Sequence, residues 1–156
     1  MLDSSASGRQ NDHVASVLVA VLPALNRALE RQVIRDFPHP TLPEGQLALL
    51  RLVEERAGIT VRDTADALLM KPNNVSALVA QLTESGLLER RRDAVDKRVA
   101  HLHPTALATE RLAEARELKE VHVARLLETL TEGEQDALGS ACGALLALTR
   151  RFYSAD

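Results

Sequence analysis

The sequence predicts a mainly α-helical chain carrying one small β-hairpin. Three observations carry that prediction. Hydrophobic residues make up 46% of the 156 residues, yet only two Phe and one Tyr are aromatic and Trp is absent, so any core is built from Leu, Val and Ala. Apolar residues recur at steps of three and four along most of the chain, the signature of helices with one buried face. That periodicity is broken once, near residues 87–103, where two short segments flank a charged tip.

Taken in order, residues 1–11 are Ser-rich and read as a disordered tail. From 12 to 36, Val14, Val17, Leu18, Val21, Leu22, Leu25, Leu29 and Val33 form one helical stripe, with Asp12 as the N-cap. Pro23 removes one backbone donor and is expected to bend this helix. Pro38, Pro40 and Pro43 force residues 37–43 into an extended linker. A second helix spans 44–57, with Leu47, Leu50 and Val53 inward and Gly58 closing it. A third covers 60–69, opened by Thr60 and Asp63 in a capping-box arrangement, with Ala65, Leu68 and Leu69 as its buried side. Pro72 starts the fourth, which ends at Gly86 and buries Val75, Leu78, Val79 and Leu82. Residues 87–90 and 99–103 read as an antiparallel hairpin. Thr105 caps a long helix over 106–130. Thr131 and Glu134 form a capping box for the last helix, which runs through Leu138, Ala141, Leu145, Leu148 and Phe152.

The formal net charge is −3, but its distribution is uneven. Residues 60–103 hold seven Lys/Arg against six acids, a net of +1, and the rest of the chain holds twelve against sixteen. Five of those seven cations fall between Arg90 and Arg98. A local basic footprint on an acidic body suits contact with a polyanion. The shortage of aromatic residues argues against single-strand recognition by base stacking.

Two short helices meeting at a tight break, followed directly by a basic hairpin, describe a winged helix-turn-helix. A DNA major groove admits one helix, and short polar side chains near its N-terminus reach base edges. Asn73, Asn74, Ser76 and, further along, Gln81 are the candidates; the bland alternative is that they merely satisfy the helix start or face solvent. Arg90, Arg91, Arg92, Lys97 and Arg98 are placed to neutralise phosphates, and an arginine at the tip suits a narrow minor groove. Because Arg90–Arg92 span both strand faces, one of the three could pair internally. Asp96 lies two residues before Arg98, close enough to orient its guanidinium.

These residues resemble the multiple antibiotic resistance regulator (MarR) family. The resemblance is carried by residues 60–79 in the helix-turn-helix, by the stretch Leu82-Thr-Glu-Ser-Gly-Leu-Leu-Glu-Arg, and by Asp96-Lys97-Arg98 with Thr105 nine residues after Asp96. It implies a homodimer made by the first and last two helices, an operator with two half-sites, and repression relieved by a small-molecule effector. It carries Arg98 over as the wing-tip minor-groove residue and Asp96 as its partner. Family members commonly have Arg where Ala77 stands, which leaves the base preference open. His39 lies at a junction where family members often bind ligands.

The remaining expectations are negative. No phosphate loop, nucleophile elbow or His-Glu-x-x-His motif is present, so no enzymatic activity and no cofactor are expected. His101 and His103 share a strand face, but no third ligand lies nearby in sequence, so no metal is expected. Cys142, the single cysteine, reads as a small buried residue in a reducing compartment. The apolar run 14–22 is interrupted by His13 and Pro23 and looks too short for a membrane span, so the chain is expected to be cytoplasmic. Residues 12–156 are expected to form one domain, with 44–103 as the winged helix-turn-helix and 12–36 and 106–153 as dimerisation helices.

Overall fold

The structure is a computed structural model that describes residues 3–93 and 99–153, with side chains described for 8–93 and 99–152. Six helices and three short strands follow one another as α1 (Asp3–Asp36), α2 (Glu44–Glu55), β1 (Ile59–Thr60), α3 (Val61–Ala67), α4 (Pro72–Glu84), β2 (Leu88–Arg92), β3 (Ala100–Pro104), α5 (Ala106–Leu127) and α6 (Glu132–Tyr153). The chain divides into two compact units where the sequence suggested a single body. One comprises residues up to Gln32 together with those from Lys119 onward; the other is Val33–Leu118.

The Val33–Leu118 unit holds the core. Leu49, Leu50 and Val53 of α2, Val75, Val79 and Leu82 of α4, Leu87, Leu88 and Leu102 of the hairpin, and Ala65 of α3 are all buried together. Ala108 and Leu112 of α5 close the cluster. Each fully buried Leu or Val contributes roughly 1.5–3 kcal/mol relative to exposure, so this unit supplies a rigid platform for whatever its surface carries. Leu47 is only partly buried, while Leu49, absent from the inward set the sequence suggested, is fully buried.

The sheet has three strands in the order β1-β3-β2, all antiparallel. β1 was not legible in the sequence; it pairs Ile59 with Leu102 and Thr60 with His101. In the hairpin Leu88 faces Pro104, Arg90 faces Leu102 and Arg92 faces Ala100. β2 is buried at Leu88 and exposed from Arg90 onward, so its outer half leaves the core.

Helix ends follow their side chains. Thr60 caps α3 by accepting from the Asp63 amide at 3.2 Å, and its hydroxyl donates to the Asp63 carboxylate at 2.7 Å. The shorter Asp thus takes the hydroxyl where Glu would reach back to the backbone. α3 and α4 both end in a Schellman motif, in which the residue after the cap is left-handed. At the end of α4 that residue is Gly86 (φ 72°), with the Leu87 amide bonded to the Leu82 carbonyl at 2.9 Å and the Gly86 amide to Thr83 at 3.1 Å. At the end of α3 it is Leu69 (φ 52°), with Met70 bonded to Ala65 at 2.9 Å and Leu69 to Asp66 at 3.2 Å. The left-handed turn swings Leu69 out of the stripe assigned to it, and it is 95% exposed rather than buried.

In the other unit α1 starts at Asp3, so Asp12 lies inside the helix and does not cap it, and residues 3–11 are helical rather than a tail. Pro23 sits within this continuous helix. Many of the apolar residues of α1 and α6 stay exposed, among them Val14, Val17, Val21, Leu22 and Leu25, and Leu138, Leu148 and Phe152. Cys142 is exposed, which corrects the expectation of burial. Because α1 is unbroken, Gly8–Asp36 passes a length-and-composition test for crossing a membrane, with mean hydropathy 1.2 in its most apolar window and none of that window buried.

Candidate nucleic-acid interface

α4 opens with Pro72 at a first-turn position, preceded by Lys71 in extended geometry with no side-chain cap. Pro72 has no amide hydrogen and the Asn74 amide bonds back to the Lys71 carbonyl at 2.9 Å, so at this end the helix dipole and the Asn73 amide favour an anion. Val75, Val79 and Leu82 fasten the helix from below. Asn73, Asn74, Ser76, Ala77, Ala80 and Gln81 are exposed.

Helical spacing sorts these exposed residues further. Asn73, Ala77, Ala80 and Glu84 lie opposite the buried stripe and form the centre of the outward face. Asn74 and Gln81 lie on the flank that carries Leu78, and Ser76 lies on the other. The Leu78 flank faces α2: a Cβ on Gly45 would sit 3.5 Å from a Leu78 methyl. On this flank Gln46 donates to the Gln81 carboxamide oxygen at 2.9 Å. Gln81 is therefore not a bare surface residue, and Gln46 is a neighbour that no sequence spacing signals.

The hairpin brings its cations to the same unit. Arg90, Arg91 and Arg92 are all exposed. Arg91 is held by Glu89 two residues away, with its Nε donating at 2.9 Å and an Nη also bonded to the same carboxylate oxygen. Among the described residues Arg90 and Arg92 have no carboxylate partner. Internal pairing of one of the three, left open by the sequence, thus falls on Arg91. Asp96, Lys97 and Arg98 lie outside the described residues.

At the root of the wing, His101 Nδ1 lies 2.6 Å from the Gly58 carbonyl oxygen and its Nε2 lies 3.0 Å from an Asp93 carboxylate oxygen. The Asp93 bond, then the Gly58 carbonyl, raises the His101 pKa above its ordinary 6.5. Thr105 fastens the other end of the hairpin, donating to the Gly86 carbonyl at 2.7 Å while accepting from the Ala108 amide at 3.2 Å.

Elsewhere in the same unit, His39 and Glu114 meet at 2.8 Å, and Phe37 stacks edge-on against His39 at 5.1 Å. They border an open concavity of about 490 Å³ lined by His39, Glu110, Ala113, Glu114 and Glu117. Among the described residues no group of three or more His, Cys, Asp or Glu side chains is arranged to hold a metal ion.

The sequence of this unit matches the profile of a known family: residues 41–99 fit the MarR family. Over that segment the chain is similar to the MarR family, and the helix-turn-helix followed by a β-hairpin is the order of elements the structure shows there. A relative that is similar over nearly its full length is an uncharacterised HTH-type transcriptional regulator of Mycobacterium bovis, 27% identical over 150 residues, covering 95% of this chain and 96% of that protein. In three dimensions the chain resembles a putative transcriptional regulator of Pseudomonas aeruginosa, with a TM-score of 0.73 at 24% identity, covering 90% and 96% of the two chains. It also resembles Streptococcus pneumoniae FabT, solved in complex with DNA, with a TM-score of 0.60 at 17% identity, covering 94% and 99%. These structural likenesses show a shared fold over most of the chain, beyond the segment matched by the family model.

Proposed function

We propose that this chain is a cytoplasmic, homodimeric regulator, and not an enzyme, that binds a pseudo-palindromic duplex operator and represses transcription until a small-molecule effector releases it. The observation that carries the reading is the joint placement, on one rigid unit, of an uncapped helix start bearing Asn73, Asn74 and Ser76 and a protruding strand bearing Arg90–Arg92. A helix of this kind fills a major groove, and a basic strand beside it reaches the flanking phosphates. FabT, a protein of similar fold, was solved in complex with DNA, which supports DNA as the partner.

In this reading Asn73 is the base-contacting residue at the centre of the outward face, Asn74 and Ser76 serve the flanks, and Gln81 works from the side tied to Gln46. Arg90, Arg92, Lys97 and Arg98 neutralise phosphate or enter the minor groove, Arg91 contributes after exchange with Glu89, and Asp96 orients Arg98. The exposed apolar residues of α1 and α6 are the natural surface for a second copy, because so much uncovered apolar area is unfavourable in water. Pairing two copies sets the separation of the two α4 helices, which must match about one DNA turn, roughly 34–36 Å. An effector that favours another separation by a few kcal/mol releases the DNA. The concavity beside His39 is the described cavity in which to look for it.

The test is a gel-shift titration against the DNA upstream of the protein's own gene, with unrelated duplex as competitor. The proposal requires a discrete complex of two copies per site that survives competitor. A monomer that binds all duplexes alike, or none, overturns it.

A further inference from the structure

We propose that His101 is the positioning residue of the wing, and that it acts as the imidazolium, so that the wing is held in place at acid to neutral pH and loosened above it. This rests on the reading that the wing contacts DNA, but its first test does not need DNA.

The argument starts from donors and acceptors. His101 Nδ1 faces the Gly58 carbonyl at 2.6 Å and Nε2 faces the Asp93 carboxylate at 3.0 Å. A carbonyl has no proton to give, and an ionised carboxylate has none either. Neutral imidazole carries one N–H, so one of these contacts would set a ring lone pair against an oxygen lone pair. Only the doubly protonated ring donates to both. A protonated Asp93 would also satisfy Nε2, but a carboxyl group ordinarily loses its proton near 4; at neutral pH the proton belongs to the ring.

The two partners lie at opposite sides of the sheet. Gly58 precedes β1, His101 is in the central strand β3, and Asp93 follows β2 directly, where its amide bonds to the Val99 carbonyl at 3.0 Å. The ring therefore ties the outer edge of the hairpin to the turn that leaves α2. Nothing apolar does this for it, since β2 is exposed from Arg90 onward. The charged and titratable groups around the ring are Asp93 just after β2, Arg91 on β2, Asp63 from α3, and His103 on β3 itself; Glu89 engages Arg91. The two carboxylates favour the cation. Partial burial of the ring opposes it.

The sign follows from linkage. With a folded pKa raised above 6.5, the stabilisation is fully present below the unfolded value and is lost as pH rises through the folded value. Operator affinity that depends on the wing falls over the same interval, by at most tenfold per pH unit for each copy bound.

The experiment uses the full-length protein. Ring signals of His101 are followed by NMR through a pH titration, together with the Asp93 amide, in wild type and in Asp93→Asn. Operator affinity is then measured from pH 6 to 8.5 for wild type and His101→Gln, which cannot ionise; His13, His39, His103 and His122 are common to both proteins and cancel. Expected are a His101 midpoint above 6.5 that drops in Asp93→Asn, an Asp93 amide shift with the same midpoint, and a steeper loss of affinity with pH in wild type than in His101→Gln. A His101 ring that titrates at or below its ordinary value, or parallel affinity profiles for the two proteins, overturns the proposal. If no duplex binds at any pH, the DNA-binding reading falls, while the ring titration still decides whether the clamp is cationic.

Discussion

Leu69 offers a test of whether the helix-turn-helix break is understood. It occupies the left-handed position of a Schellman motif at φ 52°, where the equivalent motif after α4 has Gly86. For a residue with a Cβ the left-handed conformation costs roughly 1–2 kcal/mol. Its side chain is 95% exposed, so replacing it removes almost no packing. Asn tolerates this conformation better and does not add the unfolded-state freedom that Gly brings. Leu69→Asn is therefore expected to gain about 0.5–1 kcal/mol, raising Tm by about 1–4 °C for a chain of this size. Leu69→Gly should gain less, because backbone entropy offsets the relief. Leu69→Ile should lower Tm, since branching at Cβ makes the left-handed well worse. Thermal unfolding followed by circular dichroism at one protein concentration reads all three. If Leu69→Asn melts below the wild type while Leu69→Ile melts with it, the strain argument is wrong and the exposed leucine is engaged by something else.

Two further outcomes follow from the same structure. Leu102 lies in the central strand and is fully buried among residues of the core, so Leu102→Ala should cost about 2–5 kcal/mol, measured by urea unfolding, and lose operator binding through unfolding rather than through contact. Thr131 and Glu134 form a capping box, with the Thr131 amide donating to Glu134 at 2.9 Å and the Glu134 amide to the Thr131 hydroxyl at 3.4 Å. The Thr131 backbone bond, then its hydroxyl, holds the Glu134 carboxyl below its ordinary pKa of 4.5; this contribution is present above that value and is lost as pH falls through the lower folded one. Acid unfolding curves of Glu134→Gln and wild type should accordingly converge at low pH and separate above pH 5.

Much of this architecture could be read from residues alone, for physical reasons. Val75, Leu78, Val79 and Leu82 mark α4 because burial on one side of a helix forces a three-four spacing, and Pro72 and Gly86 bound it because each suits only one helix end. Failures occurred where local pattern does not decide. β1 has only two residues, paired with β3, so no alternation announces it. Leu69 satisfied the helical spacing, but the turn reversed its direction. The Ser-rich start of α1 carries no apolar stripe, yet Asp3–Asp36 is continuous. At the site, Asn73 and the arginines could be chosen from residue type and position. The bond from Gln46 to Gln81 joins residues 35 positions apart and the contact of His101 with Gly58 joins residues 43 apart, and sequence spacing carries no trace of either.

The central claim is that the face formed by α4 and the hairpin neutralises DNA phosphates. Its most direct test is the salt dependence of operator affinity by fluorescence anisotropy, in wild type and Arg92→Ala. Each phosphate contact contributes about 0.9 to the slope of log affinity against log salt, so the account predicts a steep wild-type slope that shrinks by about 1.8 when the contact is lost from both copies of a dimer. Affinity that ignores salt, or an unchanged slope in Arg92→Ala and likewise in Arg90→Ala, would contradict it.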